Sequence, residues 1–141
     1  MTEEPMPDAP DRTEVYPHLW VGGGNAEVGF KGIVVDVREG QPQNPHAIHI
    51  PAFKGRGEGW TANPILAQKA VDLITSEIGR GSDVLVRCGS GVERSPAIVV
   101  LYLIRNKGLN PSAAYARVRS ARPQVIEEFD LLPLTYEERT R

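Results

Sequence analysis

The stretch VLVRCGSGVERSP, from Val84 to Pro96, predicts the fold of the chain around it. Its first three residues, Val84 to Val86, are apolar without a turn signal and predict a buried strand. Gly89 and Gly91 then indicate a tight loop. Pro96 suits the first turn of a helix, where its missing N–H costs nothing, and the apolar run 97–104 continues that helix. The stretch therefore predicts a strand, a loop and a helix N-terminus in succession.

The loop has the properties of a phosphate cradle. Successive backbone N–H groups can point inward as an anion-binding nest, to which the helix dipole adds positive potential. The predicted phosphate ligands are Gly89, Ser90, Gly91, Val92, Glu93 and Arg94. The same field favours the thiolate form of Cys88. Arg94 offers a planar fork to two phosphate oxygens, and Ser95 places a hydroxyl near the sulfur. The opposing hypothesis, an inert buried Cys, leaves the glycine-rich turn unexplained.

Cys88, five further residues, Arg94 and Ser95 together resemble the signature of the cysteine-dependent protein tyrosine phosphatases. The short chain is most similar to the dual-specificity phosphatases, and the resemblance extends from about Glu14 to Arg139. It implies that Cys88 attacks phosphorus and forms a cysteinyl-phosphate, with Ser95 stabilising the thiolate as it leaves. It also implies that no metal or other cofactor is required. The expected substrate is a phosphorylated protein or another phosphomonoester.

The sequence departs from this family at the general acid. Family members supply an Asp from a loop ahead of the helix that precedes the active strand, and there is no Asp between Arg38 and Gln68. Glu58 lies thirty residues before Cys88, on the expected loop. Glu is chemically competent for this role, with a similar intrinsic acidity and one more methylene of reach. We therefore predict Glu58 as the general acid, against the alternative of a solvated loop carboxylate.

A second departure is Arg87, where the family usually has His before the Cys. Arg87 either replaces that His electrostatically or points away from the site, as alternate strand residues do. Lys54, Arg56 and Arg87 are also candidates for a positively charged rim around the pocket, suited to multiply anionic substrates. Solvated surface charge is the competing interpretation of all three.

The remaining pattern predicts a small, mainly parallel, twisted α/β sheet flanked by helices, similar to a dual-specificity phosphatase. The run Gly32–Arg38 predicts a buried parallel strand. Asp36 near its end is a catalytic candidate in principle, but the resemblance implies a structural residue that supports a neighbouring loop, and we favour that role. The segments 15–24 and 47–51 each predict one short strand, and the glycine-laced segment 53–60 predicts a mobile loop. Helices are expected after Asn63-Pro64 and Asn110-Pro111, and one more over 126–139, broken or bent near Pro133.

Composition sets the remaining expectations. Residues 1–13 are acidic and Pro-rich and predict a disordered tail, which leaves residues 14–141 as the phosphatase domain. The net charge of −2 gives no footprint for nucleic acid or anionic membranes, and no apolar run reaches membrane-spanning length. His46 and His49 lack further ligands for a metal site. One cysteine and no signal-peptide pattern predict a cytoplasmic protein, which we expect to be a monomer.

Two alternatives to a phosphatase remain open at this point. A phosphate- or phosphopeptide-binding pseudophosphatase would keep the pocket and lose turnover, because the usual Asp is missing. A rhodanese-like sulfur transferase also places a Cys in an anion-binding loop after a strand. Arg94-Ser95 and the C-terminal helices favour the phosphatase.

Overall fold

The computed structural model of the chain describes residues 9–40, 44–55 and 59–141. Their strands are β1 (Arg12–Tyr16), β2 (Leu19–Gly22), β3 (Ile33–Asp36), β4 (Ile48–His49), β5 (Phe53–Lys54), β6 (Thr61–Ala62) and β7 (Val84–Arg87). The helices are α1 (Pro64–Gly79), α2 (Arg94–Lys107), α3 (Pro111–Ala121) and α4 (Tyr136–Arg139), with a 3₁₀ turn at Phe129–Leu131. Strands β1-β2-β7-β3-β4 form one sheet in that order, while β5 and β6 pair separately.

The main sheet is mostly parallel, as predicted. Strand β7 lies between β2 and β3 and runs parallel to both, and only β1 is antiparallel to its neighbour. Side chains alternate between the two faces along β7. Val84 and Val86 pack in the large core with α1, α2 and α3, whereas Leu85 faces a smaller cluster with Val34 and Ala26. The helical core therefore lies on the face from which Cys88 also projects.

The N-terminal segment differs from the prediction. The single strand expected over 15–24 is a hairpin, because the chain reverses between Tyr16 and Leu19, where His18 has a positive φ of 67°. Strand β1 also begins at Arg12, two residues inside the predicted tail. Residues 1–8 lie outside the described part of the chain.

The helix starts follow the predicted chemistry. The Asn63 side chain accepts hydrogen bonds from the backbone N–H groups of Ile65 and Leu66, and that of Asn110 from Ala113, each ahead of a proline in the first turn. Helix α2 ends where Gly108 adopts the left-handed conformation, with φ 70°. Helix α2 itself starts at Arg94, directly after the loop that follows β7, without a side-chain cap from Glu93.

Two further expectations are corrected. Segment 53–60 was expected to be only a loop, yet its first two residues pair with Thr61–Ala62 as an antiparallel ribbon. The helix expected over 126–139 is reduced to a 3₁₀ turn and the four-residue α4, because Pro133 interrupts the backbone hydrogen bonds between them. Across the described ranges, none of the helices combines the length and the apolar character needed to cross a membrane.

Candidate active site

The predicted loop lies at the carboxyl edge of the parallel sheet. The Cys88 N–H donates to the Gly22 carbonyl at the end of β2 (3.2 Å), and the Val37 N–H donates to the Arg87 carbonyl (3.1 Å). Both neighbouring strands therefore hold the point where β7 ends. Open α/β sheets bind their ligands at this edge.

Cys88 lies at the bottom of the loop and is 1% exposed. Its Sγ is 3.2 Å from the Gly91 N–H, which donates to it, and 3.3 Å from Ser95 Oγ. Ser95 Oγ also lies 3.4 Å from the Gly22 carbonyl. When the sulfur is a thiol, the serine hydroxyl can donate to that carbonyl; when it is a thiolate, the hydroxyl can turn and donate to sulfur. The Ser95 hydroxyl therefore has a hydrogen-bond acceptor in either case.

The backbone of the loop forms the predicted nest. The N–H groups of Gly89, Ser90, Val92 and Glu93 have no acceptor among the described residues, and they precede the first turn of α2. Gly91 has φ +69°, and a Cβ there would meet the Gly22 carbonyl carbon at 2.7 Å. The loop conformation therefore requires glycine at position 91, and it leaves donors available for an anion.

Arg94 lies over this nest under an aromatic ring. Its Cζ is 3.8 Å from the centroid of the Trp60 ring, and a Cβ on Gly89 would lie 3.0 Å from its terminal nitrogen. Stacking on Trp60 limits the rotamers of the guanidinium and leaves its in-plane N–H donors available. Arg94, the predicted phosphate ligand, is therefore in direct contact with Trp60, which follows Glu58 by two positions in the sequence.

Arg87 points away from the sulfur, on the opposite face of β7, and it is 5% exposed. One terminal nitrogen donates to Glu27 Oε1 (2.8 Å) and the other to the Cys88 carbonyl (3.0 Å). Asn44 donates to the second oxygen of Glu27. Arg87 is therefore not part of a rim, which corrects that expectation. Lys54 is exposed, and Arg56 lies outside the described residues.

Arg122 supports the loop from behind. It follows α3 and is 2% exposed. Its Nε donates to the Gly91 carbonyl (2.9 Å), and its terminal nitrogens reach the Ser90 carbonyl (3.3 Å), Thr13 Oγ1 (3.0 Å) and Asp11 (2.9 Å). Because Arg122 binds these two loop carbonyls on the side away from the pocket, the loop N–H groups can point into the pocket.

Asp36 has a structural role, as predicted. The buried carboxylate receives the Arg38 backbone N–H (3.1 Å) and the Arg38 guanidinium (2.8 Å). Burial raises the pKa of Asp36, but the hydrogen bonds from Arg38 outweigh this, and the pKa lies below its ordinary value. His49 Nε2 lies 2.7 Å from the Arg38 carbonyl, so the turn after β3 is held from two sides.

A pair of carboxyl groups lies on the far side of Trp60. The Trp60 Nε1–H donates to Glu93 Oε2 (3.0 Å), and the Glu128 carboxyl group lies near that of Glu93. Partial burial, together with the neighbouring Glu93 carboxylate, raises the pKa of Glu128.

The structure brings together the sequence-predicted residues 88–95, while Glu58 lies outside the described residues. Sequence reasoning missed the surrounding supports. These are Asp11, Glu27, Trp60, Arg122 and Glu128. In the sequence, Arg122 was covered only by the general resemblance from Glu14 to Arg139, and Trp60 was the last residue of the glycine-laced segment 53–60.

A buried thiol lies below four loop amides that have no acceptor among the described residues, and a guanidinium lies across the same loop; this arrangement is suited to thiolate chemistry on a phosphoryl group. The chain matches the family model "Dual specificity phosphatase, catalytic domain" over residues 32–139. It therefore belongs to the dual-specificity phosphatase family, whose members are cysteine-dependent hydrolases of the protein tyrosine phosphatase superfamily.

Individual relatives agree with this assignment. The chain is 29% identical to human dual specificity phosphatase 28 over 129 residues, covering 83% of this chain and 71% of that protein. It is 41% identical to phosphatidylglycerophosphate phosphatase PTPMT1 of Arabidopsis thaliana over 58 residues, 41% of this chain but only 17% of that protein. A crystal structure of PTPMT1 in complex with PI(5)P shares the fold, with a TM-score of 0.74, 14% identity and coverage of 92% and 94% of the two chains.

Proposed function

We propose that this chain hydrolyses phosphate monoesters through a cysteinyl-phosphate intermediate. The observation that carries the proposal is the position of Cys88 Sγ, held by the Gly91 N–H and Ser95 Oγ beneath a loop of unpaired amides. A phosphate in that nest would present phosphorus to the sulfur. The loop amides, the α2 dipole and Arg94 would stabilise the two negative charges of a phosphate monoester.

The proposed reaction has two displacements. Cys88 thiolate attacks phosphorus, the S–P bond forms, and the P–O bond to the leaving group breaks as that oxygen takes a proton. Water then attacks the phosphocysteine, giving up a proton while the S–P bond breaks and inorganic phosphate leaves. Ser95 donates to the departing thiolate, and Arg94 with the amides stabilises the equatorial oxygens in both transition states.

For the proton donor we retain Glu58 as a proposal from the sequence. Its support is its position on the loop immediately before Trp60, the residue that stacks on Arg94. A carboxylic acid there would protonate the leaving oxygen and then act as the base for water.

For the substrate we propose phosphorylated Tyr, Ser or Thr in proteins or a related phosphomonoester. A relative named dual specificity protein phosphatase 5 supports the protein substrates, and the plant phosphatidylglycerophosphate phosphatase supports a lipid phosphate. In both kinds of substrate, phosphoprotein and lipid phosphate, the reacting group is a phosphate monoester, which is the part that the Cys88 loop would bind.

The first test is hydrolysis of para-nitrophenyl phosphate by the reduced wild type and by Cys88→Ser. Para-nitrophenolate needs little protonation to leave, so this substrate reports on the nucleophile almost independently of the acid. We expect turnover by the wild type and at least a ~10³-fold loss with Cys88→Ser, because the hydroxyl is not ionised at neutral pH. Full activity in Cys88→Ser would contradict the proposed thiolate mechanism.

Two further measurements on the reduced wild type distinguish the phosphatase from a pseudophosphatase and from a sulfur transferase. A pseudophosphatase would bind inorganic phosphate or vanadate without measurable turnover. A sulfur transferase would acquire a persulfide on Cys88 from thiosulfate, which mass spectrometry detects as an added sulfur atom.

A further inference from the structure

A cleft of about 520 Å³ opens beside the phosphate loop. Its walls are Gly59 and Trp60 on one side and the segment from Glu127 to Leu131 on the other. A second hollow, of about 270 Å³, shares Trp60 with the first and is lined further by Thr61 and Pro133. We call these two adjoining hollows the Trp60 groove.

Both walls of the first cleft are attached to the phosphate loop. The Trp60 Nε1–H donates to Glu93 at 3.0 Å, and the centroid of the same ring is 3.8 Å from Arg94 Cζ. The segment that forms the opposite wall is held at its start, because the Ile126 N–H donates to the Val92 carbonyl at 3.0 Å. One indole ring therefore separates the cleft from the predicted phosphate ligand, and a substrate bound to the loop can extend over Trp60 into the cleft.

The cleft is acidic. Glu127, Glu128 and Asp130 line it, and its lining in the described part of the chain includes no Lys or Arg. Arg119 partly compensates the Glu127 charge (3.3 Å), whereas Glu128 and Asp130 have no ion-pair partner among residues 9–40, 44–55 and 59–141. Partial burial and the nearby Glu93 carboxylate raise the pKa of Glu128. A cationic group in the cleft would relieve this repulsion.

Aromatic surface lies among these charges. The Phe129 side chain is 37% exposed and packs edge to face against Tyr115, and Trp60 is half-buried. A Lys or Arg side chain can lay its stem or its charged group on such rings while the charge meets a carboxylate. Acidic side chains alone would be solvated surface, but here they share one cleft with two aromatic rings and adjoin the phosphate site.

The same charges disfavour a lipid surface. A phosphate carried by an anionic membrane would bring the negative surface potential of that membrane toward Glu128 and Asp130, and like charges in contact are destabilising. The net charge of −2 does not offset this repulsion. The charge of the groove therefore favours a polypeptide over a membrane as the carrier of the phosphate.

We propose that the Trp60 groove binds the polypeptide flank of a phosphorylated protein substrate and favours Lys or Arg on that flank. This inference rests on the proposed function and chooses, within it, phosphoproteins over lipid phosphates. The phosphate would occupy the Cys88 loop. A basic side chain about one to three residues away, at about 3.3 Å per residue, would then meet Glu128 and Asp130 beside the Trp60 ring.

The test compares phosphotyrosine peptides that differ only in flanking charge. One peptide has neutral flanks, two carry Arg at the three positions before or after the phosphotyrosine, and two carry Glu at the same positions. For the reduced wild type, we expect kcat/KM to be about tenfold higher with Arg on one flank than with neutral flanks, and lowest with Glu on that flank. The gain should shrink as the salt concentration rises, because exposed charge pairs are screened.

Charge variants of the groove assign the preference to it. Glu128→Gln combined with Asp130→Asn should bring the ratio of Arg-flanked to neutral peptide within about twofold of one. Glu128→Lys combined with Asp130→Lys should reverse the preference toward Glu flanks, which a merely structural role would not produce. Asp72→Asn combined with Glu137→Gln removes two exposed charges from α1 and α4, outside the groove. This matched control should keep the wild-type ratio.

Four results would overturn the inference. These are equal kcat/KM for all five peptides, an Arg preference that survives in the variant with Glu128→Gln and Asp130→Asn, an equal loss of the preference in the control, or faster hydrolysis of phosphatidylglycerophosphate in anionic vesicles than of the Arg-flanked peptides. In each case, Cys88-dependent hydrolysis of para-nitrophenyl phosphate would leave the proposed function standing.

A wild type that hydrolyses none of these phosphomonoesters would overturn both proposals together. Thermal unfolding of each variant separates loss of fold from loss of selectivity, and the peptide ratios are compared only among variants that unfold cooperatively.

Discussion

At the scale of a single residue, Arg87 occupies the position at which the family usually has His. Its buried side chain depends on the groups that it contacts. A buried guanidinium is costly unless its charge and its donors are satisfied. Here the Glu27 carboxylate compensates the positive charge of Arg87, with 2.8 Å between Nη1 and Oε1, and the Cys88 carbonyl accepts from Nη2 at 3.0 Å. The Arg87 Nε has no acceptor in the described part of the chain. Arg87 therefore restrains the backbone of the nucleophile from the face opposite the sulfur.

Replacing one member of this ion pair should cost more than replacing both. We expect Arg87→Met to lower the free energy of unfolding by about 3–5 kcal/mol, because it leaves the Glu27 carboxylate without its partner. Arg87→Met combined with Glu27→Leu should recover a large part of that loss. Urea unfolding of the wild type, both single variants and the double variant measures the coupling. Additive losses would show that the pair does not act as a unit.

At the scale of elements, the C-terminal helix is held by tertiary contacts rather than by its own length. Four residues are too few for a stable isolated helix. The Thr135 capping box starts α4, and Arg105 on α2 binds the Glu138 carboxylate with two nitrogens, at 2.9 and 3.1 Å. Arg105 also donates to the Pro133 carbonyl (2.9 Å). One α2 side chain therefore docks the whole C-terminal segment.

This docking should depend on pH. The Arg105 hydrogen bonds outweigh the opposing effect of burial and lower the pKa of Glu138 from 4.5 to about 2. A lowered pKa in the folded state stabilises the fold above pH 4.5, and the contribution is lost as the pH falls toward 2. We expect Glu138→Gln to cost on the order of 2–3 kcal/mol at pH 7 and almost nothing near pH 2. The check is the free energy of unfolding of both proteins over that range; a pH-independent difference would contradict it.

At the scale of the whole molecule, Arg122 joins segments from both ends of the chain to the phosphate loop. Asp11 and Thr13 precede or begin β1, and Ser90 and Gly91 belong to the loop. The guanidinium fork contacts all of them from a buried position after α3. Conformational order at the N-terminus of the domain is thus linked to the shape of the anion site.

Arg122→Lys keeps the charge but removes the fork, since an ammonium group cannot reproduce its planar set of donors. We expect a lower midpoint of thermal unfolding and about a tenfold weaker inhibition by vanadate, equivalent to ~1.4 kcal/mol. Arg119→Lys, an exposed residue of α3 paired with Glu127, is the matched control for replacing a nearby arginine by lysine. Unchanged vanadate inhibition in Arg122→Lys would show that anion binding by the loop does not depend on the Arg122 contacts.

Short-range chemistry explains why some predictions succeeded. Asn63 and Asn110 were predicted as helix caps, and both accept backbone N–H groups as expected. The hairpin of β1 and β2 was missed because its turn, Pro17-His18, carries no glycine, although His18 adopts a positive φ. The last helix was overestimated because apolar residues at 131–134 pack as irregular backbone around Pro133.

The sequence by itself determined the strand, loop and helix around Cys88, and it places Cys88, Arg94 and Ser95 in that loop and helix start. These residues are within eight positions of one another, so covalent geometry and glycine conformation already place them together. Only the tertiary structure decided their partners. Glu27 meets Arg87 across 60 residues, Trp60 meets Glu93 across 33, and Asp11 meets Arg122 across 111. Such contacts depend on how the strands are ordered and how the helices pack, which spacing along the chain does not encode locally.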